Sequence, residues 1–152
     1  VKIGFCWAGS PSYHRDFARS IPLAQWWPLL RLPGTEWVAL LTGALREELA
    51  GAPPHIATPD LPDWSETVRI ARTCDLIVTV DTALAHVAGS ARLPTWVLLA
   101  YPADWRWLED RTDSPWYPTV RLYRQKKPGG DWWEVLDRVH QDLVALTERT
   151  AA

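Results

Sequence analysis

The run Leu76-Ile77-Val78-Thr79-Val80 and the residues after it constrain the fold more than any other part of the chain. Apolar residues dominate it with no inside–outside alternation, the pattern of a strand covered on both faces of a parallel sheet. Asp81-Thr82 ends the run, and Ala83, Leu84, Val87 and Ala88 continue at helical spacing to about Ala91. A parallel strand that feeds a helix needs a further strand beside it, so the chain is predicted to be built from βαβ units.

The same alternation recurs on both sides. Val1–Trp7 reads as a strand that stops at Ala8-Gly9-Ser10-Pro11, and residues 12–20 read as a polar loop. Ile21-Pro22-Leu23 opens a helix that carries Trp26, Trp27 and Leu30 and stops at Pro33-Gly34. Trp37–Leu41 is a second strand, Leu45–Leu49 a short helix, and His55–Ala57 a weak third strand. Asp63 with Glu66 three residues on marks a helix start, and that helix, to about Thr73, is expected to bury Trp64, Val68 and Ala71. Thr95–Ala100 and Val120–Tyr123 are the last strands, separated by a Trp-, Pro- and Asp-rich loop. Asp131–Thr147 closes the chain as a helix with Trp132, Val135, Leu136, Val139 and Leu143 on one stripe. Right-handed crossovers leave few arrangements. The expected fold is α/β, a Rossmann-like doubly wound parallel sheet of about six strands in the order 3-2-1-4-5-6, forming one domain over residues 1–152.

Composition narrows the function classes. Lys and Arg number 16 against 18 Asp and Glu, a balance without the basic surplus of a nucleic-acid binder. No apolar run approaches the ~20 residues of a membrane-spanning helix, and 47% hydrophobic content excludes a disordered chain. With no Met and an opening of Val1-Lys2-Ile3-Gly4-Phe5, the sequence is expected to be cut from a longer protein. Nothing at its start has the order of a signal peptide, and a cytoplasmic location is expected. Cys6 and Cys74 sit in or beside apolar strands and are expected to be buried free thiols, with a disulfide or a reactive thiol as the other readings.

In the 3-2-1-4-5-6 order the ligand crevice lies at the carboxyl ends of strands one and four, here Gly9-Ser10 and Asp81-Thr82. The N–H groups of Thr82, Ala83 and Leu84 would form an anion cradle at a helix N-terminus. Equally, Asp81 or Thr82 would simply cap that helix. His86, one turn on, either faces the crevice or packs. Arg19 stands just ahead of the helix that opens at Ile21-Pro22, an unfavourable place for a cation unless an anion joins it there. The other reading is a solvated loop arginine. Gly9, Thr42, Gly43, Asp104 and Arg106 are further candidates for ligand contact. The Trp-rich loop, with Trp105, Trp107, Trp116 and Tyr117, either stacks on a ligand or wedges against the sheet edge. There is no GxGxxG, Walker loop, GxSxG, CxxC or HExxH pattern, and neither a metal nor a cofactor is expected.

Residues Cys74–Gly89, followed by Leu93–Leu99, resemble the nucleotide-sugar half of family 9 glycosyltransferases, the ADP-heptose:lipopolysaccharide heptosyltransferase group. Arg19–Leu23, Asp104–Leu108 and Asp113–Pro118 are similar to segments of a bacterial branch of that group in which such a domain follows tetratricopeptide repeats. The resemblance implies the C-terminal, donor-binding half of a GT-B fold, in an inverting and metal-independent enzyme whose other half is missing here. It implies a nucleotide-diphosphate sugar as ligand. Ser10, Arg19, Asp81, Thr82, Ala83, Leu84 and His86 would hold its diphosphate and sugar, Arg19 replacing a phosphate-binding Lys by a fork. The turn Ala100-Tyr101-Pro102-Ala103-Asp104 departs from the heptosyltransferase form and argues against heptose as the sugar. The family's proposed general base lies in the other half, so none is nominated here. The alternative is a non-catalytic interaction module that keeps the fold while its site decays.

Overall fold

A computed structural model describes residues 1–151. Six strands form a single sheet, β1 (Lys2–Cys6), β2 (Glu36–Ala39), β3 (Ile56–Ala57), β4 (Leu76–Val80), β5 (Thr95–Leu99) and β6 (Val120–Arg124). Their order is β3-β2-β1-β4-β5-β6, as expected, and every pairing is parallel. The helices are α1 (Asp16–Arg19), α2 (Leu23–Leu30), α3 (Trp64–Ala71), α4 (Ala83–Ser90) and α5 (Trp132–Ala151). Short 3-10 helices cover Ala44–Leu49 and Trp105–Trp107. Among the described residues no helix is long and apolar enough to cross a membrane.

The sheet is lined on both faces. Under α2 and α5, Phe5 collects the rings of Trp7, Trp26 and Trp37 at centroid distances of 5.4, 5.9 and 5.4 Å. Large rings fill this layer where Met or Leu usually would, and each buries well over 100 Å² of apolar surface. On the other face α3 and α4 cover Cys6, Val38, Leu40 and Ile77. Beyond them Trp107 packs with Ala85, Val97 and Leu99.

Several local readings are corrected. The stretch 12–20 is not all loop: it contains the four-residue helix α1, stabilised by the Arg19–Asp16 pair at i,i+3. Trp64 is not buried but 52% exposed. As the first residue of α3, just after the Asp63 cap, it projects off the end of the helix rather than onto its inner face. Val68 and Cys74 are half-buried, whereas Cys6 is fully buried, and both cysteines are free. Pro28 lies inside α2, near its last turn, where it removes one helical N–H without ending the helix.

Candidate functional site

β1 and β4 are neighbours, with Cys6 opposite Thr79, so their carboxyl ends open into one depression. Two crevices meet there. The larger, of about 730 Å³, runs from Ser10 and Leu40–Leu45 to Trp64 and Thr67. The smaller, of about 300 Å³, lies between Tyr13 and Arg15 on one side and Pro102–Asp104 on the other, with Asp81 and His86 at its floor. Arg19, Thr82 and Ala83 line both.

The junction is built around the first turn of α4. Thr82 is the extended N-cap residue, yet its side chain makes no capping bond. Its hydroxyl lies 3.4 Å from Thr79 Oγ1. The Asp81 carboxylate does not cap either: Oδ1 accepts the indole N–H of Trp107 at 2.8 Å. Of the two readings of this turn, the simple cap fails. Among the described residues the backbone N–H groups of Ala83 and Leu84 have no protein acceptor, and the helix dipole adds partial positive charge at the same place.

Arg19 reaches the junction from α1, but not in the expected way. It is the last residue of α1 rather than the head of the next helix, and a cation at a helix C-terminus is favourable by itself. Nor is it a mobile countercharge. Nε donates to Asp16 Oδ1 at 2.9 Å, Nη1 donates to the Asp81 carbonyl at 2.9 Å, and the guanidinium stacks on Tyr13 at 4.4 Å. Asp16 in turn accepts the Ser20 hydroxyl at 2.7 Å. Gly9 leaves room for this packing: a Cβ there would lie 2.4 Å from both Arg19 Nη2 and Asp16 Oδ1, so those side chains would have to shift.

His86 has both of the roles considered for it. It lines the smaller crevice, and its ring also stacks on Trp107 at 5.0 Å while Nδ1 shares a hydrogen bond with the Tyr117 hydroxyl at 3.1 Å. Trp107 is fully buried and Tyr117 half-buried, so these two rings of the Trp-rich loop are the wedge. Trp105 and Trp116 are exposed. Burial holds the Asp81 carboxyl above the usual range, opposed by the Trp107 hydrogen bond and the nearby His86. Burial also raises the Cys6 thiol.

The remaining candidates divide. Ser10, Gly9, Thr42, Gly43 and Leu84 line the larger crevice, with Ser10 bonded to the Ser12 hydroxyl at 2.8 Å. Asp104 lines the smaller one. Burial pushes its carboxyl up, but the backbone N–H and guanidinium of Arg106 outweigh that and hold it below the usual range. Arg106 lines neither crevice; it pairs with Asp104 at 2.9 Å and covers the Trp105 ring. Sequence reasoning missed Tyr13 and Trp64, which line the smaller and the larger crevice. A large ring directly after a helix cap, as at Trp64, was a usable signal. Among the described residues no group of three or more His, Cys, Asp or Glu is placed to hold a metal ion.

No protein-family model matches the chain. It is 28% identical over 148 residues to Protein FlbA of Caulobacter vibrioides, covering 91% of this chain and 24% of FlbA. In structure it is similar to E. coli heptosyltransferase WaaC with ADP, with a TM-score of 0.67 at 14% identity over 96% of this chain and 44% of that one. It is also similar to E. coli ADP-heptose lipopolysaccharide heptosyltransferase II, with a TM-score of 0.65 at 23% identity over 99% and 47%. The chain thus spans about a quarter of the curated relative and less than half of each enzyme. The likeness is one of fold: the chain matches the C-terminal half of these GT-B heptosyltransferases.

Proposed function

We propose that this chain is the donor-binding half of a GT-B glycosyltransferase and takes a nucleotide-diphosphate sugar. The observation that carries the reading is the junction. Two crevices of unequal size share Arg19, Thr82 and Ala83, and the uncapped N–H groups of Ala83 and Leu84 point to an anion there. The larger crevice, with Trp64 as an aromatic wall, suits a nucleoside. The smaller one, with Asp81, His86 and Asp104, suits the hydroxyl groups of a sugar. The diphosphate then lies across α4.

In transfer, an acceptor oxygen would attack the anomeric carbon while the bond from that carbon to the diphosphate breaks. The nucleoside diphosphate leaves with the electron pair, and the acceptor proton passes to a base outside this chain. Arg19 and the α4 N–H groups would stabilise the charge that develops on the leaving diphosphate, without reorganising during the step. The missing half, the acceptor site and the base belong to the rest of a longer protein, which we place in the bacterial branch that carries tetratricopeptide repeats. ADP in the WaaC structure supports a nucleoside diphosphate as the ligand class.

The second reading, a non-catalytic interaction module, draws on the local charge balance. Asp16 neutralises Arg19, and Asp81 brings a second carboxylate to the same place. A thermal-shift panel of ADP, GDP, UDP, CDP and dTDP separates the two. The donor-binding reading predicts a concentration-dependent rise in melting temperature with at least one of them, whereas a flat response to all five supports the module.

A further inference from the structure

Beyond Pro102 and Ala103, which also border the smaller crevice, a separate cavity of about 560 Å³ opens past the carboxyl ends of β5 and β6. Its wall carries Arg111, Arg124, Lys126 and Arg138 against Glu109 and Asp110. Arg111 and Lys126 already have carboxylate partners outside the cavity, Asp113 at 2.8 Å and Glu134 at 2.6 Å. Arg124 and Arg138 do not: among the described residues neither forms an ion pair.

These two half-buried guanidiniums are held by backbone carbonyls instead. Arg124 donates Nε to the Arg111 carbonyl at 2.9 Å and Nη2 to the Trp107 carbonyl. Arg138 donates Nη2 to the carbonyl of Arg124, and its Nε is buried with no partner. Burial pushes the Arg124 guanidinium below its ordinary range, although Asp110 and Glu109 pull it back. Glu109 and Asp110 act on Arg124 from a distance, but neither guanidinium has a carboxylate in direct contact, and the cost of withdrawing two like charges from water falls when an anion joins them. The guanidinium fork matches the flat edge of a carboxylate or the oxygens of a phosphate. The wall also holds two non-glycine residues in the left-handed region, Leu108 (φ 54) and Asp110 (φ 50), and backbone strain of this kind collects at ligand sites.

We propose that this cavity is an oxyanion site, in which Arg124 and Arg138 take the carboxylate or phosphate of a sugar-sized molecule. Oxyanion binding at this cavity does not rest on the glycosyltransferase reading.

The test follows the side-chain Nε–Hε signals of Arg124 and Arg138 by NMR while the 152-residue chain is titrated separately with glucuronate, glucose 6-phosphate, inorganic phosphate and neutral glucose. Saturable shifts of both signals are expected with the two sugar-borne anions, weaker binding with inorganic phosphate, and none with glucose. Arg138→Gln should weaken binding at least about tenfold, while Arg72→Gln, an exposed cation elsewhere, should leave it unchanged. If Arg138→Gln fails to fold, the wild-type mapping and Arg124→Lys, which keeps the charge but not the fork, decide in its place. Absence of shifts at both arginines, or binding indifferent to these substitutions in a folded variant, would overturn the site. Inorganic phosphate binding as tightly as the sugar-borne anions would overturn the sugar-sized occupant. Titration with a nucleoside diphosphate reads the Ala83 and Leu84 amides instead, so failure of the donor reading remains distinguishable.

Discussion

The indole N–H of Trp107 donates to Asp81 Oδ1 over 2.8 Å, tying the loop after β5 to the residue that ends β4. Because the Asp81 carbonyl also accepts from Arg19, this one residue connects both walls of the smaller crevice to its floor. Trp107→Phe keeps most of the buried ring but leaves a largely buried carboxylate without its donor and opens a small cavity. The expected loss is about 2–4 kcal/mol of stability, measured by urea denaturation of both proteins.

The raised pKa of Asp81 has a definite sign in the pH dependence of stability. A carboxyl whose folded value lies above its unfolded value binds its proton more tightly in the folded state. Its favourable contribution is therefore fully present below the unfolded value and is lost as pH rises through the folded one. Asp81→Asn removes that titration. Measured from pH 3 to 7, the stability of Asp81→Asn relative to wild type should improve as pH rises through the acid range. A difference independent of pH would contradict the burial argument.

Gly89 and Tyr117 should be coupled. A Cβ at position 89 would lie 2.6 Å from Tyr117 Cγ. The alanine gains about 1 kcal/mol of helix propensity, but overpacking costs about 1–3 kcal/mol. Gly89→Ala is therefore expected to destabilise the wild type and to stabilise Tyr117→Ala, where the ring is absent. A double-mutant cycle should return a coupling above about 1 kcal/mol, and simple additivity would contradict the packing.

The sheet was legible because buried parallel strands leave unbroken apolar runs, and Leu76–Val80 and Thr95–Leu99 could be nothing else. The crevice followed from the strand order, and with it Arg19, Asp81, Thr82 and Ala83 were brought together. What escaped were features made by contacts between polar segments. α1 carries no apolar periodicity, since Phe17 is 83% exposed, and its stability comes from a charge pair that exists only once the turn has formed. Missing α1 placed Arg19 at the wrong end of a helix. Trp107 and Trp105 are two residues apart in the same loop, one fully buried and one 68% exposed. Nothing in their identity separates them; the indole that meets Asp81 is set by tertiary packing alone.

The central claim is that an anion binds where Arg19 meets the first turn of α4, and calorimetric titration of the chain with the nucleoside diphosphate that raises its melting temperature most tests it directly. Arg19→Lys and Arg19→Gln are titrated beside wild type, with melting temperatures recorded to establish that each is folded, because the bonds to Asp16 and the Asp81 carbonyl give Arg19 a structural share as well. A charge-assisted contact is worth roughly 1.5–3 kcal/mol, so Arg19→Gln should bind about 10- to 100-fold more weakly than wild type, and Arg19→Lys should fall between. Equal affinity for wild type and a folded Arg19→Gln would contradict the account and favour the interaction-module reading.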